Sequence, residues 1–220
     1  MFQFKSTLAA ATLLAALAAT PAHATVKYTF DANGTASGKV SFTASMTGSH
    51  EFNLAIGIDN TTPTNIGGAL VNLGFLVPTD TSDWALVSQT NVASILRHND
   101  VVGYFPAFDL CLTTSSSCDQ GKVSKGIKAG DSASVVLHGK GDYSSASAFE
   151  TALAEVLHRG HENRQGFGVC GTFAGLKTAN SANNKEKLCA EREDSVPEPV
   201  STGMLGAGLV GLLALRRRRA

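Results

Sequence analysis

The chain has 220 residues, of which 18 are basic and 18 acidic, so its formal net charge is zero. Setting aside Lys5, the four terminal arginines and Glu198 leaves 13 basic and 17 acidic residues, a net charge of −4 for the part between the chain ends. An acidic body without a basic patch excludes nucleic acid as a partner. Its length of roughly 170 residues suffices for one domain with a buried core.

The N-terminal segment has the features of a signal peptide. A lysine precedes an apolar stretch at residues 8–19, which is too short to span a bilayer core of roughly 30 Å. Ala22 and Ala24 have the small-x-small spacing of a cleavage site, which makes Thr25 the first mature residue. We therefore expect a signal helix in residues 1–24, with signal peptidase and the general secretion machinery as partners.

The next segment, residues 25–176, predicts a mainly β fold. Apolar and polar residues alternate in 40–46 and again in 52–58, and the turn signal at 47–49 joins the two runs into a hairpin. Further strands are predicted at residues 26–30, 69–77, 84–87, 101–112, 132–138 and 166–173. Residues 119–131 are predicted to form a loop. Short strands between turn signals are typical of an antiparallel β-sandwich-like domain.

One amphipathic helix is predicted within this domain. Apolar residues recur there with helical spacing at Phe149, Leu153, Val156 and Leu157. Ser147 and Glu150 have the spacing of a capping box, and Gly160 is a natural stop for the helix. The polar, aperiodic residues 177–195 are predicted to be a tether that is partly fixed if Cys189 is bridged.

The four cysteines all lie in the part of the chain that the signal peptide would export. An even number of cysteines in an oxidising compartment favours disulfides, and four allow three pairings. We favour Cys111–Cys118 and Cys170–Cys189, because each pair closes a short loop rich in small or polar residues. The spacings do not form the paired Cys-x-x-Cys of a zinc site, so neither a metal nor another cofactor is predicted.

No catalytic residue is nominated. His158, His161 and Glu162 form the densest polar cluster, but Gln165 stands where the His-Glu-x-x-His motif needs its second histidine. A solvated helix end is the favoured interpretation of this cluster. A Ser-His-Asp site assembled from distant residues stays open, although no Gly-x-Ser-x-Gly motif is present.

Two ligand sites stay open as alternatives. Four aspartates in predicted loops have side chains suited to calcium: Asp80, Asp83, Asp100 and Asp131. Three aromatic residues would suit either sugar stacking or, as we favour, the core of a sandwich: Trp84, Tyr104 and Phe105.

The C-terminal segment, residues 196–220, combines a short motif, an apolar stretch and a basic cluster. The motif is Val196-Pro197-Glu198-Pro199, whose prolines disfavour helix before the apolar stretch. Residues 200–215 predict a short, glycine-containing transmembrane helix. Four arginines then follow and would stay cytoplasmic under the positive-inside rule: Arg216, Arg217, Arg218 and Arg219.

This arrangement resembles the PEP-CTERM sorting signal of Gram-negative bacteria. The resemblance implies recognition by an exosortase, processing near Pro197-Glu198-Pro199, and release or transfer to the cell surface. It also implies exopolysaccharide as a partner. The part before the motif resembles other exported PEP-CTERM proteins only in short stretches, Phe108-Asp109 and Ala129-Gly130-Asp131, to which no active site belongs.

The sequence therefore predicts an exported protein that crosses the inner membrane, is briefly anchored by its C-terminal helix, and is then sorted to the cell surface or extracellular matrix. Its expected role is non-enzymatic, as a structural or biofilm component. Two other classes stay open: a carbohydrate-binding module and a secreted hydrolase. Ice binding is a remote third, because regular Thr-x-Thr arrays are missing.

Overall fold

The computed structural model describes five stretches of the chain: residues 25–31, 35–101, 107–163, 168–177 and 184–192. The predicted signal peptide and the C-terminal segment lie outside them. Within these stretches, no helix is long and apolar enough to cross a membrane.

The described part of the chain forms twelve strands, one α-helix and one 3-10 turn. The strands are β1 (Val26–Asp31), β2 (Ser37–Met46), β3 (Glu51–Asp59), β4 (Ala69–Phe75), β5 (Thr81–Thr90), β6 (Ile95–Val101), β7 (Ala107–Thr113), β8 (Ile127–Lys128), β9 (Ser132–Gly141), β10 (Val169–Ala174), β11 (Lys185–Cys189) and β12 (Glu191–Arg192). The helix α1 spans Ala146–Asn163, and the 3-10 turn spans Val123–Lys125. Each strand in this set pairs antiparallel with its neighbours.

The strands form two sheets. The first sheet has the order β12-β1-β2-β3-β9-β5, and the second has the order β11-β10-β4-β7-β6, with β8 paired to β4. The chain passes between the sheets at both lateral edges, from β5 to β6 on one side and from β11 to β12 on the other. The predicted mainly β, sandwich-like fold with one helix is confirmed.

The core lies between the two sheets and follows from the alternation in the sequence. In β2 and β3 every second residue is buried, because successive side chains of a strand point to opposite faces. Rings from the two sheets meet across the interface: Phe42 lies 5.3 Å from Phe75 and Phe30 lies 6.1 Å from Phe173, between ring centroids. The predicted hairpin of β2 and β3 is therefore confirmed, with Val40 opposite Ile58.

Strand β4 is buried on both faces, which an alternating pattern does not predict. The segment after β7 crosses its outer face, where a second apolar cluster consists of Ala69, Val71 and Ala174. A Cβ at Gly121 would lie 2.1 Å from a methyl carbon of Val71, so only glycine allows this close approach. Residues 119–131, predicted to be a plain loop, thus contain the 3-10 turn and β8 and cover the sheet.

The boundaries of α1 differ from the predicted ones. Ser145, and not Ser147, begins the helix, because its Oγ accepts a hydrogen bond from the Ala148 N–H at 3.1 Å. The helix also continues past Gly160 to Asn163. An internal glycine costs only about 1 kcal/mol. Burial of the apolar face of α1 outweighs that cost.

The predicted tether at residues 177–195 is wrong for its described part. Strand β11 pairs with β10 over five residues, and β12 pairs with β1. Backbone pairing at a sheet edge needs no apolar alternation. The polar composition of residues 177–195 therefore predicted an unstructured segment where the structure has strands. The predicted strand at 101–112 is likewise wrong in extent. Val101 ends β6, and β7 is a separate strand that begins at Ala107 and pairs with β6.

Candidate functional site

The predicted processing residues lie mostly outside the described part of the chain. Thr25 is described, and its Oγ1 lies 3.1 Å from Oγ1 of Thr43, within hydrogen-bonding distance. The other predicted sorting residues lie beyond it: Ala22, Ala24, the motif at 196–199 and the arginines at 216–219.

The two ends of the domain lie side by side. The chain enters the first sheet at β1 and leaves it at β12, and these strands are antiparallel neighbours with Tyr28 opposite Arg192. The start of β1 and the end of β12 therefore lie at the same end of the sheet. Three residues separate Arg192 from the motif at 196–199, so at about 3.6 Å per residue the motif begins within roughly 14 Å of β12.

Both predicted disulfides are confirmed. Cys170 and Cys189 are directly opposite in the pairing of β10 with β11, with their Cα atoms 4.0 Å apart. Cys111 and Cys118 have Cα atoms 6.5 Å apart and close the segment that leads over β4. The Cys170–Cys189 bridge therefore fixes the edge strand β11, which leads into β12, the last strand before the C-terminal segment.

The segment closed by Cys111 and Cys118 is also held by a buried polar network. The side-chain amide of Asn72 donates to the Cys118 carbonyl at 2.6 Å, and Thr113 Oγ1 donates to Asn72 Oδ1 at 2.8 Å. Asn72 and Thr113 are almost fully buried, where an unsatisfied amide would be costly. The network therefore holds this segment in one position over the sheet.

A cleft of about 490 Å³ opens at one end of the β5–β6 edge. It is lined by Ser82 and Asp83 of β5, His98 of β6 and Asp109 of β7, among others. A serine, a histidine and an acid thus line one cavity, although they come from three strands that are distant in the sequence. No local motif connects them, which explains why spacing alone did not find them.

The cleft lacks a connected catalytic triad. Asp109 Oδ2 accepts a hydrogen bond from the Val77 N–H at 3.0 Å, and Asp83 lies 3.3 Å from the Lys140 ammonium. Among the described residues, no hydrogen bond joins Ser82 to His98 or His98 to Asp109. A nucleophile needs a base within about 3.2 Å, although unliganded sites are often looser. The cleft therefore holds the chemical types for acyl transfer without their activated arrangement.

Trp84 belongs to an aromatic cluster of the core. It is 9% exposed, and its ring centroid lies 5.4 Å from that of Phe52 and 6.3 Å from that of Phe149. The favoured core role of Trp84 is thereby confirmed, whereas Tyr104 and Phe105 lie outside the described residues. The large apolar side chains exposed in the described part are aliphatic: Val87, Ile95 and Val123.

Tyr143 completes this cluster and turns its hydroxyl toward a carboxylate. The hydroxyl donates a hydrogen bond to Asp80 Oδ1. Burial raises the pKa of Tyr143 above its ordinary value, and the hydrogen bond to Asp80 and the charge of that carboxylate raise it further. Tyr143 therefore stays neutral at physiological pH and ties the segment between β9 and α1 to the residue just before β5.

Of the four aspartates considered for calcium, the side chain of Asp100 lies outside the described part, and the other three do not gather. Asp80 accepts from Tyr143, Asp83 lies beside Lys140, and Asp131 lies at the opposite end of β5. The described residues contain no group of three or more His, Cys, Asp or Glu able to hold a metal ion. His158 is exposed on α1, as expected for a solvated helix face, and the side chains of His161 and Glu162 lie outside the described part.

Glu150 has a structural role that the sequence did not reveal. It is 1% exposed, and its Oε1 accepts a hydrogen bond from the Ala44 N–H at 2.7 Å. Strand β1 pairs with β2 only as far as Phe42, so the backbone of β2 continues beyond its strand partner. Glu150 therefore satisfies a buried donor there and is no capping-box residue.

The chain matches no family model, no curated protein and no solved structure. The features that bear on function are the adjacent ends of the domain, the two disulfides and the cleft at the β5–β6 edge.

Proposed function

We propose that the protein is exported and sorted by an exosortase through residues 196–220, and that its domain serves as a non-enzymatic structural component of the cell surface or extracellular matrix. One observation carries this proposal. The domain begins and ends on neighbouring antiparallel strands, β1 and β12, at the same end of one sheet.

Adjacent ends suit a domain that is attached to one membrane at both termini during export. A signal peptide and a C-terminal span followed by arginines both place their charged ends in the cytoplasm. The domain between them must then present both of its ends to the same membrane surface. The pairing of Tyr28 with Arg192 supports this arrangement without any rearrangement of the sheet.

The disulfides support export independently. Structural disulfides persist in oxidising compartments and are rare in the cytosol. All four cysteines are paired, and each sulfur atom belongs to a bridge inside the domain. Export before or during folding would allow both bridges to form.

The short distance between domain and motif constrains the sorting step. With β12 paired to β1, residues 193–195 alone bridge the domain and Val196. The exosortase would therefore act on a motif that begins within roughly 14 Å of the folded sheet. The released protein would retain β12, and the fold would not change on processing.

The sorting proposal is tested by changing the motif. We expect Pro197→Ala/Glu198→Ala in the full chain to leave the C-terminal segment attached, because the prolines and glutamate are the proposed recognition element. Intact mass of the protein from cells with and without the exosortase locates the cut. Glu193→Ala, just outside the motif, should be processed normally. A surface-fraction protein that still carries residues 216–219 in exosortase-containing cells would contradict the proposal.

A secreted hydrolase is the second candidate, favoured by the cleft that contains Ser82, His98 and Asp109. If the domain is non-enzymatic, a fluorophosphonate probe should not label the protein, and p-nitrophenyl acetate should be hydrolysed no faster than in buffer. The matched variants are Ser82→Ala and Ser88→Ala, both on β5. Labelling that is lost in Ser82→Ala and kept in Ser88→Ala would establish the hydrolase and refute the structural role.

A further inference from the structure

A second cleft, of about 550 Å³, lies at the other end of β5. Its walls come from the β5–β6 connection at residues 91–93, the end of the 3-10 turn at 124–126, β8 and the start of β9. Ligand sites in proteins commonly have volumes of about 300–1,000 Å³. The cleft is therefore large enough for one or two sugar-sized units.

Backbone constraints fix the walls of this cleft. Asn91 has a left-handed backbone, with φ of 61°, and its side-chain amide donates to the Ser132 carbonyl at 3.2 Å. A Cβ at Gly126 would lie 2.7 Å from the Leu70 carbonyl oxygen, so the 3-10 turn packs directly on β4. The Asp131 N–H donates to the Lys128 carbonyl at 2.9 Å. The cleft is thus formed before any ligand arrives.

The charged groups of the cleft are available to a ligand. Lys125 and Lys128 line it, both exposed, and within the described residues neither forms an ion pair. Asp131 lines the same cleft and brings a hydrogen-bond acceptor of opposite charge. The amide of Asn91 and the hydroxyls of Ser124 and Ser132 add neutral polar groups.

We infer that this cleft binds a polyhydroxylated carboxylate, such as a uronic acid unit of an acidic saccharide. Two ammonium groups favour an anion, whereas Asp131 repels a bare anion and accepts hydrogen bonds from ligand hydroxyls. A ligand carrying both a carboxylate and hydroxyl donors satisfies all three side chains. Because aromatic rings do not line the cleft, charge and hydrogen bonds would hold the sugar in place of ring stacking.

The inference goes beyond the proposed sorting and does not depend on it. It concerns a ligand of the folded domain, and the cleft contains no residue of β1, β12 or the C-terminal segment. Failure of sorting would leave ligand binding intact, and failure of ligand binding would leave sorting intact. Calorimetry on purified protein reports only ligand binding, and intact mass from cells reports only sorting.

The test titrates trigalacturonate into the full-length protein in detergent, at low ionic strength. We expect binding to weaken by about tenfold in Lys125→Gln/Lys128→Gln, because two exposed charge contacts are lost. Lys27→Gln/Lys39→Gln changes the net charge equally on β1 and β2 and should bind like the wild type. Asp131→Asn should weaken binding less than the lysine pair. Unchanged melting temperatures would show that the variants fold.

Two further titrations fix the chemical class of the ligand. Maltotriose, which is neutral, and inorganic phosphate, which lacks the sugar hydroxyls, should each bind at least about tenfold more weakly than trigalacturonate. Added salt should weaken trigalacturonate binding, because exposed charges are screened. Phosphate binding as tight as trigalacturonate would replace the inference by a plain anion site. The inference would be overturned if trigalacturonate did not bind. It would also be overturned if Lys125→Gln/Lys128→Gln and Lys27→Gln/Lys39→Gln bound trigalacturonate equally well.

Discussion

Phe149→Ala is expected to lower the free energy of unfolding by about 3–5 kcal/mol, the usual cost of removing a fully buried phenylalanine. Phe149 is 0% exposed, and its ring lies 4.1 Å from Phe52 and 5.2 Å from Tyr143, between centroids. It is the ring through which α1 enters the core shared by both sheets. The loss of its ring would leave a cavity between helix and sheet.

Chemical denaturation of the full-length protein in detergent measures this effect. Trp84, the single tryptophan of the chain, lies 6.3 Å from Phe149 and reports the cluster directly by its fluorescence. Phe149→Leu keeps most of the apolar volume and should cost less than about 1.5 kcal/mol. Equal stability of Phe149→Ala and wild type would mean that α1 is not part of the cooperative core.

The C-terminal half of α1 also packs closely against Gly168. A Cβ at Gly168 would lie 2.0 Å from the Leu157 carbonyl oxygen, so the chain just before β10 can pass the helix only as glycine. The Gly168 carbonyl accepts a hydrogen bond from the Leu76 N–H at 3.0 Å. Helix, β10 and the end of β4 therefore pack as one unit.

The strands whose alternation is visible in the sequence are those that bury one face. In β2, β3 and β9 the alternation of apolar and polar residues coincides with the alternation of burial. The two disulfides were predictable because their spacings leave short loops. These features depend on local order, which a single sequence displays.

The remaining features depend on partners that are distant in the chain. Strand β11 is held by backbone pairing and the Cys170–Cys189 bridge, and neither requires apolar alternation. The carboxylate of Glu150 meets the Ala44 N–H only after α1 has docked. The 490 Å³ cleft joins residues of β5 with residues of β6 and β7, and the 550 Å³ cleft joins the β5–β6 connection with β8 and β9. The sequence alone does not predict which of these distant residues are in contact.

Removal of the Cys170–Cys189 bridge by Cys170→Ala/Cys189→Ala is expected to cost about 3 kcal/mol, from the loop entropy of its 19-residue separation. The matched variant Cys111→Ala/Cys118→Ala removes a bridge between cysteines with a sequence separation of 7, and it should cost about 2.5 kcal/mol by the same reasoning. Denaturant unfolding measures both. The two variants are therefore expected to lose similar amounts of free energy of unfolding.

The local consequences should differ, and they distinguish the two bridges. Strand β11 is an edge strand, and the bridge holds it at the register of Cys170 opposite Cys189. Without it, β11 and β12 should open locally, because edge strands of few residues have low local stability. Amide hydrogen exchange in residues 185–192 should accelerate in the Cys170/Cys189 variant. It should stay at the wild-type rate in the Cys111/Cys118 variant, whose segment crosses β4 instead.

This local opening also connects stability to the proposed sorting. Strand β12 holds the C-terminal exit beside Tyr28 by its pairing with β1, and β11 leads into β12. If β11 opens, the distance between the domain core and the motif at 196–199 is no longer limited to the three residues after Arg192. The Cys170/Cys189 variant should therefore be cleaved by added trypsin at the lysines of β11, Lys185 and Lys187, before the rest of the domain is attacked. Equal trypsin resistance of both cysteine variants would show that backbone pairing alone fixes the exit strand.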